Sequence, residues 1–162
     1  MSLSQLKSRL ELAALVILLV VLLALWRGIN RPTVDLAHFL AEAASPTTMR
    51  LGPVRLSLEL ADRPLELARG LAGRASLNQL SGLLFIFDTD TIPSFWMKGM
   101  LFPLDIIWLD AAGRIVDITP NVRPESYPQI FQPAQAVRYA LEVNAGLTDS
   151  FNLQIGDRLT PF

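Results

Sequence analysis

The chain has 162 residues, 51% of them hydrophobic, a formal net charge of −1 and no cysteine. That length allows about one domain plus an appendage, and the balanced charge excludes the strongly basic face of a nucleic-acid binder. The missing cysteine excludes disulfides, thiolate catalysis, cysteine-ligated zinc and a lipid-modified N-terminal cysteine.

In chain order, residues 1–11 form a short tail carrying Lys7, Arg9 and Glu11, and Leu12 to Trp26 is an unbroken run of fifteen apolar residues. A spanning helix needs roughly 20 residues, and about 17 at the lower limit. Arg27 extends the run by snorkelling from its end, and Trp26 suits the membrane interface. Residues 12–29 therefore read as a single transmembrane anchor. A cleaved signal peptide is the rival, but Trp26, Arg27, Ile29 and Asn30 crowd the place where small residues are wanted. A buried soluble helix is the third reading, and the lack of any polar face argues against it. The tail is expected in the cytoplasm. The rest then lies on the extracytoplasmic side of the inner membrane, or, if cleaved, is periplasmic or secreted. Residues 30–49 form a spacer: Pro32 ends the helix, Thr33 to Ala44 allows a short amphipathic helix, and Ser45-Pro46-Thr47-Thr48 reads as a linker.

Residues 50–162 are expected to fold as one globular domain. Val54, Leu56, Leu58 and Leu60 alternate with Arg55, Ser57 and Glu59, which is the period of a half-buried strand. Pro64 to Leu71 reads as a short helix closed by Gly70 and Gly73. Leu83 to Phe87 is apolar on both faces and reads as a central strand. Phe95 to Lys98 is a short strand candidate. Leu104 to Leu109, the turn Asp110-Ala111-Ala112-Gly113 and Arg114 to Ile118 form the clearest hairpin. Pro120 to Pro133 is read as a long loop. Val137 to Val143 alternates again, Gly146 to Phe151 is a helical turn, and a last short strand follows Gly156-Asp157. Strands joined by turns predict a mainly β (α+β), compact and largely antiparallel domain with one or two short helices. Its expected core includes Leu58, Leu84, Phe85, Ile86, Phe95, Ile106, Ile107, Ile115, Tyr139 and Leu141.

From Val54 onward the motif order resembles the domain of unknown function family 192 (DUF 192), an uncharacterised bacterial and archaeal family. The residues that carry it are Ala68-Arg69-Gly70-Leu71 with Gly73-Arg74, Gly82-Leu83-Leu84-Phe85, Phe95-Trp96-Met97-Lys98, Pro103-Leu104-Asp105-Ile106-Ile107, Leu141-Glu142-Val143-Asn144-Ala145-Gly146 and Gly156-Asp157. The resemblance covers nearly the whole globular part. It implies a compact, mostly β fold, frequent export behind a signal or anchor, and no established activity. The family string continues from the lysine with asparagine and threonine, where this chain has Gly99 and Met100. The usual methionine is also Leu83.

Six residues are candidates for a ligand-binding or polar cluster: Arg69, Arg74, Trp96, Lys98, Asp105 and Glu142. Trp96 and Lys98 are two apart and would share a face, giving a stacking surface beside a cation. Asp105 and Glu142 sit among apolar residues, where a lone charge is expensive and an ion pair is expected. Lys98, Arg69, Arg74 or Arg138 would supply the partner. Arg69 and Arg74 flank a glycine pair and suit an anion, although a helix cap explains the glycines equally well. His38 is the only histidine and lies in the spacer, which argues against a serine-histidine-aspartate triad or a histidine metal site. No cofactor is implied.

Two functions fit these residues. One is a non-enzymatic envelope module that binds a ligand or partner, protein or glycan, as an accessory to an envelope assembly. The other is an envelope hydrolase or transferase acting on a glycan-type substrate through Asp105 and Glu142 with Lys98. The second requires the two carboxylates to share one open cleft.

Overall fold

The computed structural model describes residues 46–161. The expected anchor over residues 12–29 and the helix of the spacer lie outside the described residues. Among the described residues no helix is long and apolar enough to cross a membrane.

Seven strands and two short helices make up the domain, in the order β1 (Thr47–Leu51), β2 (Val54–Ala61), α1 (Pro64–Arg69), β3 (Ser81–Thr91), β4 (Leu104–Leu109), β5 (Ile115–Val122), β6 (Val137–Asn144), α2 (Leu147–Ser150) and β7 (Leu159–Pro161). The strands form one sheet in the order β5-β4-β6-β3-β2-β1-β7. Every neighbouring pair is antiparallel except β2 and β3, which are linked through α1. The fold is thus mainly β and largely antiparallel, as the alternation predicts.

The two ends of the strand order meet. Arg114 and Arg158 form an antiparallel bridge, the Ile115 amide donates to the Asp157 carbonyl at 2.8 Å, and the Leu159 amide donates to the Gly113 carbonyl at 2.8 Å. The hairpin turn makes this contact feasible. Asp110 Oδ1 accepts from the amides of Ala112 and Arg114, both at 2.8 Å, and Gly113 takes φ +75°. A Cβ on Gly113 would fall 2.9 Å from the Leu159 carbonyl oxygen, so only glycine fits. The curled sheet therefore covers the start of β5 with the segment leading into β7, while the rest of β5 remains an edge.

Curling creates two cores. The inner one draws a residue from every strand, including Leu51, Leu56, Leu58, Leu84, Ile107, Ile115, Leu141 and Leu159. The outer one packs Leu83, Phe85, Leu104, Ile106, Trp108 and Ala140 beneath the segments that contain Leu71, Met97 and Met100. Strand β4 is buried along its whole length because its two faces serve different cores.

Several expectations change. Phe95 to Lys98 is not a strand; only Phe95 pairs, in a single bridge to Phe131. Its bonding capacity is satisfied there, and a tight turn follows at Lys98-Gly99. Thr47 and Thr48 belong to β1 rather than to a linker, and β5 continues through Pro120 to Val122. Proline is tolerated there because β5 is the last strand in the order, where a missing amide breaks no ladder. Leu60 is half exposed, unlike Val54, Leu56 and Leu58. Of the expected core, Leu58, Leu84, Phe85, Ile106, Ile107, Ile115 and Leu141 are buried, while Ile86, Phe95 and Tyr139 are partly buried.

Gly113→Ala should test the closure. The added methyl meets a carbonyl and the backbone angle disfavours any side chain, so a loss of more than about 1 kcal/mol is expected in urea denaturation. A change near zero would mean that the bridge to β7 does not hold the ring shut.

Candidate functional site

Strand β6 places alternate side chains on opposite faces. Leu141 and Val143 enter the inner core, and Ala140 and Glu142 face the outer one. Glu142 lies opposite Ile106 on β4 and Leu83 on β3. Its environment is therefore a pleated apolar floor, covered by α1, the turn after it and the segment Ser94 to Met100.

This cover is incomplete. It leaves a cleft of about 640 Å³ with Glu142 in its lining. Leu67, Leu71, Phe85, Phe95 and Met100 supply apolar wall. The Phe95 ring meets Phe85 edge to face at 4.8 Å and Trp108 at 5.1 Å, so it is held rigidly. Trp108 in turn donates from Nε1 to Thr119 Oγ1 at 2.9 Å. The two covering segments are tied together by the Gly73 amide, which donates to the Gly99 carbonyl at 2.9 Å.

Three predicted polar or aromatic residues join Glu142 in this lining: Arg69, Trp96 and Lys98. The alternation inferred for Phe95 to Lys98 survives without a strand. Met97 is buried, whereas Trp96 is 51% exposed and Lys98 is exposed. Among the described residues neither Arg69 nor Lys98 lies within ion-pair distance of a carboxylate.

Glu142 itself is buried, and its Oε2 has no hydrogen-bond partner. Burial pushes its pKa up from 4.5 to about 8, and the nearby Arg74 charge offsets this only in part. Arg74 is committed elsewhere: its guanidinium donates to both carboxylate oxygens of Glu59, at 2.6 and 2.7 Å. That fork holds Glu59 below its ordinary range. Arg138 is likewise engaged, with Asp90 at 2.8 Å. Gly70 completes the arrangement. Its φ of +52° suits glycine, and a Cβ there would sit 3.3 Å from the Phe85 ring and 3.7 Å from Glu142 Oε2. The absent side chain lets the Gly70 backbone pack close over the Phe85 ring and the carboxyl, whose Oε2 is sealed from solvent.

Asp105 is not part of this group. It faces Val143 across β4 and β6, one residue out of step with the Ile106–Glu142 pair, so its side chain enters the opposite face of the sheet. There it is fully buried and accepts from the Asn121 amide at 2.8 Å, the Thr148 amide at 3.0 Å and Thr148 Oγ1 at 2.7 Å. The expected approach of Lys98, Asp105 and Glu142 is thereby corrected, and so is the ion pair expected for Asp105. Backbone amides and a hydroxyl satisfy it instead. Sequence reasoning missed Thr148, Asn121 and Glu59. The outward position of Glu59 on β2 was the one available signal.

Residues 47–161 match the model of the DUF192 family, described as Uncharacterized ACR. The chain belongs to the DUF192 family. It is 29% identical over 103 residues to a UPF0127 protein of Thermococcus gammatolerans, covering 64% of this chain and 65% of that one. It is 31% identical over 104 residues to a UPF0127 protein of Pyrococcus abyssi, covering 63% of this chain and 83% of that one. The chain thus spans less than two thirds of the length of the Thermococcus gammatolerans relative it matches. A solved Sinorhizobium meliloti protein, described as a candidate transcription regulator, superposes with a TM-score of 0.70 at 31% identity, covering 73% of this chain and 95% of that one. A Novosphingobium aromaticivorans protein of unknown function gives 0.66 at 26% identity, covering 70% and 83%. In this DUF192 member Met100, which stands where the family resemblance leads one to expect threonine, is buried in the cleft wall, so that wall is apolar.

The raised pKa of Glu142 has a consequence for stability. The folded state keeps a proton that the unfolded chain has released above its ordinary value of 4.5. Stability from this group is full below that value and is lost as pH rises towards the folded pKa, at about 1.4 kcal/mol per pH unit. Glu142→Gln should flatten this slope between about pH 5 and pH 8 in urea titrations and should exceed the parent in stability at the upper end. Parallel curves for the two proteins would show that Glu142 is ionised in the fold.

Proposed function

We propose that the domain is a ligand-binding module and that the cleft beside Glu142 is its binding site. The unpartnered carboxyl carries this reading. A polar group buried without a partner costs on the order of 1–3 kcal/mol, and a leucine at the same place on β6 would avoid the penalty. Groups held against stability in an open cleft are candidates for function. The cleft also has the volume range of small-molecule sites, about 300–1,000 Å³, and mostly apolar walls around a few polar atoms.

The hydrolase or transferase reading loses its foundation, because Asp105 and Glu142 lie on opposite faces of one sheet. Nucleic acid is also a poor fit for a chain with a net charge of −1. The setting we propose follows the N-terminal composition. Residues 12–29 anchor the protein in the inner membrane, the domain stands on the extracytoplasmic side, and it serves as an accessory to an envelope protein or glycan assembly.

Fragment titration followed by amide NMR shifts tests the site. Shifts should cluster at Gly70, Phe95 to Gly99 and Glu142. They should weaken in Trp96→Ala, whose stability should stay within about 0.5 kcal/mol of the parent. Shifts scattered away from these residues would remove the cleft from consideration. Carbonate extraction tests the anchor: the full chain should stay with the membrane pellet, whereas release of a form beginning near Ser45 would show cleavage.

A further inference from the structure

We propose that the cleft takes a small organic anion, a carboxylate on an apolar body, whose head is drawn by Arg69 and Lys98 and meets the carboxyl of Glu142. This inference rests on the reading of the cleft as the binding site and specifies the ligand class.

The sum of charges around the cleft decides the sign. Arg69 and Lys98 line it, and among the described residues neither is matched by a carboxylate. Arg74, the cation nearest Glu142 in effect, is cancelled by the two-pronged bond to Glu59. The one acid in the lining is Glu142, and burial keeps it protonated at neutral pH. With that acid neutral, the cleft presents a net positive field, which concentrates anions and repels an ammonium group. A cationic ligand would have to ionise Glu142 against its desolvation while also opposing two like charges.

Hydrogen-bond chemistry agrees. A neutral carboxyl has a proton to give, and an O–H donated to a carboxylate oxygen is among the short, strong bonds. Oε2 itself is sealed, so the ligand meets the carboxyl through the small part of Glu142 that stays exposed in the lining, 7% of the residue. The remaining wall is apolar, and the exposed Trp96 offers a flat face for a planar body.

Calorimetry on the full chain in detergent, with three probes that share one ring, tests the proposal. The probes are phenylacetate, phenylacetamide and phenethylamine. Phenylacetate should bind tightest, and its dissociation constant should rise about tenfold between about pH 6.5 and about pH 9, as Glu142 loses its proton. Glu142→Gln should keep binding, since its amide still donates, and should abolish this pH dependence. Lys98→Met should weaken phenylacetate at both pH values. A preference for phenethylamine that grows with pH, or equal binding of the acid and the amide, overturns the anion class and leaves the cleft as a site. No binding of any probe overturns the site as well.

Discussion

Strands β4 and β6 are buried on both faces, and the rest of the domain answers the need to cover them twice. A sheet of seven strands covers one face by curling on itself, which brings β5 and β7 into contact and fills the interior with Leu, Ile and Val. Among the described residues the other face has no second sheet. It is covered by a six-residue helix, a glycine-rich turn and an irregular segment. Such cover is less continuous than a packed layer, and the gap it leaves is the cleft. Fold and candidate site therefore have one origin: a two-sided strand pair with unequal lids.

Asp105 and Glu142 show how far a single step of register reaches. Both are carboxylates in apolar strands, on neighbouring strands and nearly opposite each other. One step in pleat sends Asp105 inward, where Thr148 and the Asn121 amide converge on it with three bonds. The same step sends Glu142 outward beneath the lid, where the nearest guanidinium is already bound to Glu59. Buried charge tolerates only the first situation. In the second, the group surrenders its charge by keeping its proton. A strand pair can thus hold one carboxylate as a structural acceptor and its neighbour as a neutral donor.

Much of this was legible in the residues. The alternation in β2 and β6, the two-sided apolar run in β3 and the hairpin around Gly113 locate strands because period two is a local property. The resemblance located the family. Arg69, Trp96, Lys98 and Glu142, four of the six candidate residues, line one cleft, although the expected cluster joined Lys98 and Glu142 to Asp105 and set Arg69 beside Arg74. The failures share a cause. Whether Asp105 and Glu142 meet depends on how β4 and β6 register, and no local pattern encodes that. The pairing of Arg74 with Glu59, fifteen positions earlier, is set by the parallel contact between β2 and β3. Phe95 to Lys98 looks like a strand because its side chains alternate, yet an alternating segment forms a strand only if a partner edge is free, and here only Phe131 supplies one.

The meeting of β7 with the Gly113 turn also bears on the order in which the domain is made. β7 is the last of the seven strands to leave the ribosome, yet it pairs with β1, the first. Until it emerges, β1 lacks a neighbour on one side and the hairpin of β4 and β5 has nothing to close against. The nascent domain thus carries two raw sheet edges through nearly all of its synthesis, which is the condition in which chains pair with the wrong neighbour. A terminal strand of three residues works as a clasp, and a chaperone that shields β1 until that clasp arrives would protect the whole ring.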